Sequence, residues 1–159
     1  MTESDNESAT ALILLGCPQV PVQTSMALYL VHSLKQQGIR PVVAGTPAAR
    51  KLMEVADPER HYLDEVADLD AVIDDITGKQ RDFDLCFVFI HNDSGVAYAG
   101  TMAYISRARL YAILFGEHAE DLADEIEFPC EVVAAKAVHN PMPLKRRLDE
   151  VMQWAVSKR

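Results

Sequence analysis

The chain has 159 residues, 49% of them hydrophobic and 25% charged. That is enough for one globular domain whose core needs no metal or disulfide staple. Acids outnumber bases 24 to 15, and the net charge of −9 sets nucleic acid and anionic membrane aside as partners.

The first nine residues, MTESDNESA, are polar and acidic. They lack the basic start and apolar centre of a signal peptide and read as a short disordered tail. One domain then spans residues 10–159. Its first strand, Ala11–Leu15, runs into Gly16-Cys17-Pro18-Gln19. Proline at position 21 disfavours helix at Val20, so the first helix begins near Pro21. Ala27, Leu30, Val31 and Leu34 form its apolar stripe, and Gly38 ends it. A second strand, Pro41–Ala44, leads to Thr46-Pro47, an N-cap and N1 pair opening a helix through about Val55. Arg60–Leu63 reads as a weak further strand. Leu69, Val72, Ile73 and Ile76 repeat at helical spacing before Gly78.

Asp84–Ile90 is the next strand, followed by His91-Asn92-Asp93-Ser94 and a helix over Gly95–Ser106 without one charged residue. Asp93 or Ser94 reads as its N-cap. The 22 residues Leu85–Ser106 contain only Asp93 among the acids and bases, but the central turn makes them strand, turn and helix, not a membrane span. Leu110–Phe115, an acidic helix over Glu117–Glu127, the strand Glu131–Ala135 and a helix opened by Pro143 complete the chain. That last helix carries Leu144, Leu148, Val151, Met152 and Ala155.

Strands and helices alternate, and the long strands are apolar on both faces. This predicts an α/β fold: a three-layer α/β/α sandwich around a mostly parallel, Rossmann-like sheet of five or six strands. In such sheets ligands bind beyond the carboxyl ends of the strands. The side chains predicted there include Cys17, Gln19, Gln23, His91, Asn92, Asp93, His139 and Asn140.

An imidazole at a strand end can move protons near pH 7, which makes His91 and His139 the candidate acid–base groups. Cys17 precedes a helix N-terminus, a setting that favours a thiolate, so it is the candidate nucleophile or redox group. Gln19, Gln23, Asn92, Asp93 and Asn140 are candidate ligand-binding residues. Pro18 and Pro21 remove two backbone donors from the first loop. It therefore lacks the glycine-rich logic of a phosphate cradle. Cys17, His91, Asp93 and His139 suit a borderline divalent ion by type, but their spacing matches no metal motif, and no metal is assigned. Cys86 and Cys130 read as small core residues. With three cysteines and no C-x-x-C pair, the chain fits a reducing, cytoplasmic compartment.

The stretches GCPQVPVQTSMALYLVHSLKQQG, AGTPAARKLMEVADPERHYLDE, FIHNDSGVAYAGTM and AAKAVHNPMPLKRRLDE resemble, in order and from about Ala11 to the C-terminus, an uncharacterised family of methanogenic archaea. This is a domain of unknown function with a Rossmann-like α/β/α fold. The resemblance implies a cytoplasmic protein of an anaerobic cell. It implies no reaction, no cofactor and no catalytic residue.

The expectation is thus a small polar ligand or cofactor bound at the carboxyl edge. The same residues also admit a non-enzymatic accessory or assembly subunit of a methanogenesis-related complex, and a metal or thiol-redox site around Cys17. The charge-free Gly95–Ser106 helix, with small residues at 97, 99, 100 and 103, predicts a homodimer.

Overall fold

The computed structural model describes residues 8–157, with side chains through residue 153. Residues 1–7 of the expected tail and the Ala155 side chain lie outside the described residues. Ala9 already belongs to the domain, because its carbonyl accepts the Arg40 amide at 2.9 Å. No helix of the described residues is long and apolar enough to cross a membrane.

Six strands and six helices alternate: β1 (Thr10–Leu15), α1 (Val22–Gln36), β2 (Arg40–Gly45), α2 (Pro47–Ala56), β3 (Glu65–Asp68), α3 (Leu69–Thr77), β4 (Leu85–Ile90), α4 (Asp93–Ile105), β5 (Arg109–Leu114), α5 (Ala119–Asp124), β6 (Glu131–Ala134) and α6 (Met142–Ser157). The strands form one sheet in the order β3-β2-β1-β4-β5-β6, and every neighbouring pair is parallel. The α/β, Rossmann-like fold expected from the sequence is therefore observed.

Alternation along each strand divides the core. Ile13, Leu15, Phe87, Phe89, Tyr111 and Ile113 face one side, where they meet Met26, Leu30, Met53, Leu144 and Leu148 of α1, α2 and α6. Leu12, Leu14, Val88, Ile90 and Ala112 face the other, against Leu69, Val72, Ala99, Met102 and Leu122 of α3, α4 and α5. The two-residue period of a strand thus feeds two apolar layers. This is why the central strands are apolar throughout.

Local chemistry sets most of the element ends. Pro21 is the N-cap of α1, and Gly38 past its C-terminus takes φ +73°. There the Ile39 amide returns to the Leu34 carbonyl at 3.0 Å, as a left-handed cap allows. The Thr46 hydroxyl accepts the Ala49 amide at the head of α2, with Pro47 in its first turn. Gly78 closes α3 at φ −79°, and the left-handed residue is the next one, Lys79.

Four expectations need correction. Arg60–Leu63 is a turn, not a strand. Arg60 has φ +54°, and the amides of His61, Tyr62 and Leu63 donate to the Asp57 carboxylate at 2.8, 2.9 and 2.9 Å. The edge strand follows it at Glu65–Asp68, paired with Val42–Gly45. The cap of α4 is Asn92, whose Oδ1 accepts the Gly95 amide at 3.1 Å, so Asp93 and Ser94 are already helical. The acidic helix is shorter than Glu117–Glu127, covering Ala119–Asp124. The last helix opens at Met142, one residue before Pro143.

Candidate functional site

The sheet order reverses between β1 and β4. From β1 the chain leaves towards α1 on one face, and from β4 it leaves towards α4 on the other. The two departing loops part over this pair and leave a crevice between them. Gly16, Cys17, Thr46, His91, Asn92 and Ser94 line it, with Phe89, Gly95 and Tyr98, around a cleft of about 170 Å³.

The β1–α1 loop is tight. The Gln19 amide donates to the Cys17 carbonyl at 2.9 Å across Pro18, whose ring fixes the turn. Cys17 is exposed. Its carbonyl also meets His91 Nε2 at 2.7 Å. A carbonyl only accepts, so Nε2 must carry a proton. In the neutral ring Nδ1 then keeps the lone pair. Phe115 holds the imidazole by an edge contact at 5.4 Å between ring centroids. This bond ties the two loops across the crevice through backbone, not through the thiol.

Gln23 is not at the mouth. It is 1% exposed, and its side-chain amide donates to the Gly16 carbonyl at 3.1 Å from below the loop. Its Oε1 is buried and has no hydrogen-bond partner among the described residues. Gln19 is exposed on the same loop. Asn92 lines the cleft while capping α4.

Asp93 turns elsewhere, towards Glu125 beyond α5. The Asp93 charge, some loss of hydration and a hydrogen bond between the two carboxyls hold the exposed Glu125 carboxyl above its usual range. His139 and Asn140 are exposed on the β6–α6 connection and are not among the cleft residues. Asn140 Oδ1 accepts the Met142 amide at 3.1 Å and so starts α6. The connection reaches the site's neighbourhood through the Val138 carbonyl, which accepts the Val22 amide of α1 at 3.1 Å.

The structure thus brings together Cys17, His91 and Asn92, with Gln19 beside them and Gln23 beneath. Asp93, His139 and Asn140 stand apart. Among the described residues no three His, Cys, Asp or Glu side chains gather as a metal-binding group. Cys86 is fully buried in β4 and burial pushes its thiol up. Cys130 is half-buried, and burial followed by the Glu131 charge raises it too.

Tyr98 was not foreseen as a lining residue, and Thr46 and Ser94, which follow strands on the same edge, were read as caps and not chosen as ligand-binding residues. Ser94 and Tyr98 are one helical turn apart, so the i, i+4 spacing that places both on one side of α4 was available. The crevice offers a free thiol, a proton-accepting imidazole nitrogen, one hydroxyl from a serine and one from a tyrosine. Those groups can orient a small polar ligand and exchange protons with it.

A family model for a domain of unknown function, DUF1890, matches residues 12–151. The uncharacterized protein MJ0452 of Methanocaldococcus jannaschii is 35% identical over 147 residues, covering 90% of this chain and 97% of that protein. The solved structure of MT0777 is similar throughout, with a TM-score of 0.84 and 39% sequence identity over 91% of this chain and 97% of that one.

Proposed function

The chain belongs to the DUF1890 family, and we propose that it binds a small polar ligand in the crevice between β1 and β4. The observation that carries this reading is the His91–Cys17 hydrogen bond. It closes the switch point of the sheet beside a cleft lined by Cys17, His91, Asn92, Ser94 and Tyr98. His91 Nδ1 is the proton-accepting atom of the site, and the Cys17 thiol is its soft, accessible group.

Protein-observed NMR with small polar fragments tests it. Amide shifts are expected to cluster at residues 16–19 and 91–98. The paired variant Cys17→Ser, His91→Ala should weaken the responses at least about tenfold, the scale of a lost charge-assisted or buried hydrogen bond. Its melting temperature should stay close to that of the parent. Responses that scatter over the surface, or survive in the folded variant, would sink the reading.

A second reading concerns assembly. Tyr104 is 92% exposed on α4, a large aromatic at the far end of an exposed stripe that also shows Asp93, Ser94, Ala97 and Thr101. This supports self-association of the chain through α4. Sedimentation equilibrium should then find a dimer that Tyr104→Lys converts to monomer; a parent that is monomeric at tens of micromolar removes the idea.

A further inference from the structure

A second, wider groove lies at the opposite, amino edge of the sheet. It has a volume of about 800 Å³, within the usual range of ligand sites. Thr10, Arg40, Asp84 and Arg107 line it, with Arg81 and Asp82 at the side where it adjoins a second hollow containing Lys79. Together the two hollows carry four cationic side chains and two acidic ones, on a chain whose net charge is −9.

The acids of this groove are already engaged. Asp84 Oδ2 accepts the Thr10 amide at 2.8 Å and its hydroxyl at 3.4 Å. Asp82 accepts the Phe83 amide at 2.8 Å, the Ser106 hydroxyl at 2.5 Å and the Arg107 amide at 2.9 Å. Asp82 spends both carboxylate oxygens on these donors, and Asp84 spends its Oδ2.

The arginines differ from one another. Arg81 is held by two hydrogen bonds to Glu65, at 2.6 and 3.1 Å, and lies over the Phe83 ring at 4.8 Å. Arg40 and Arg107 close no ion pair among the described residues. The Arg107 backbone amide bonds to Asp82, but its guanidinium acts on that carboxylate only through space. Two planar guanidiniums with free donors line the same groove beside a third that is fixed, and each guanidinium fork suits a pair of anionic oxygens.

We propose that this groove binds a small polyanion through phosphoryl or carboxylate oxygens, with Arg40 and Arg107 as its principal donors. The site is separate from the β1–β4 crevice, since it lies at the other end of the strands. Long nucleic acid does not suit it, because the acidic remainder of the surface repels a polymer of phosphates. At about 0.15 M salt a single small anion meets mainly the charges within roughly 8 Å of it.

Titration calorimetry of the full chain at low ionic strength, with pyrophosphate and with citrate as probes, tests the proposal. One saturable site per chain is expected, weakening as salt is added. Arg40→Gln with Arg107→Gln should weaken binding at least about tenfold. Arg40→Lys with Arg107→Lys should retain part of it, and Cys17→Ser with His91→Ala should leave it unchanged. Binding of pyrophosphate alone marks a phosphoryl ligand, of citrate alone a carboxylate ligand, and of both a site that reads paired oxygens. No saturable binding of either probe at millimolar concentration overturns the proposal. So does equal affinity in a folded Arg40→Gln, Arg107→Gln variant.

Discussion

At the scale of single residues, several polar side chains act on backbone. Asp57 is 3% exposed and receives three successive amides. Burial alone would raise its carboxyl. The amides of Leu63, Tyr62 and His61 outweigh that and hold it below its ordinary value of 3.8. A depressed carboxyl means that the folded chain binds fewer protons than the unfolded one. The stabilisation is complete above the ordinary value and is lost as pH falls through the folded one. Asp57→Asn should therefore melt lower at neutral pH and show a shallower loss of stability into acid. Melting curves between pH 2 and pH 7 check this, and an unchanged acid slope would count against the amide cage. The same habit limits what sequence can reveal. Position placed Cys17 and His91 on one edge, but it is the Cys17 carbonyl that meets the imidazole. A backbone atom leaves no trace in residue identity. Gln23 misled for a related reason: its polarity suggested the mouth, whereas its amide supports the loop from inside.

At the scale of elements, α4 shows how small residues are used. The absence of charge over Gly95–Ser106 raised the expectation of a partner surface. One of its glycines is required within the fold. A Cβ on Gly95 would stand 3.0 Å from Ile90 Cα and 3.1 Å from its Cγ2, so glycine lets α4 start against the end of its own strand. A Cβ on Gly100 would only touch the Phe128 ring, at 3.4 Å, an ordinary packing distance. Gly95→Ala sets two effects against each other. Helix propensity gains about 1 kcal/mol, while overpacking against backbone costs about 1–3 kcal/mol. The packing cost is expected to win, lowering the melting temperature by roughly 2–4 °C per kcal/mol of net loss in a domain of this size. A variant that melts at or above the parent would mean that α4 slides away freely. The missed strand belongs to this scale too. β3 is Glu-Val-Ala-Asp, two apolar residues between acids at the sheet edge, and a half-covered edge strand needs no long apolar run. The buried central strands needed one and were readable within a residue or so.

At the scale of the whole molecule, alternation and two-faced apolar strands sufficed for the layer architecture. Strand order did not follow from them, because any right-handed set of crossovers gives the same string of elements. The order β3-β2-β1-β4-β5-β6 decides which strand-end loops become neighbours. It unites the Cys17 and His91 loops and leaves the His139–Asn140 connection outside the cleft lining, although all three follow carboxyl ends of strands. The amino-edge groove was illegible for the same reason. Arg40, Arg81 and Arg107 are far apart in sequence and share one edge only through the pairing of β1 with β2 and β4 and of β4 with β5.

That pairing has a kinetic consequence. Strand β1 lies against β4, and the Cys17–His91 bond spans 74 residues. The chain must close a long loop before this central seam gains any hydrogen bond. Both hollows straddle the seam: Gly16 and Cys17 face His91 and Asn92 at one end, while Thr10 and Arg40 face Asp84 and Arg107 at the other. Neither exists on a half-folded chain. A ligand of either hollow would therefore meet only molecules whose strands β1 and β4 have already paired, and its binding would hold that seam together.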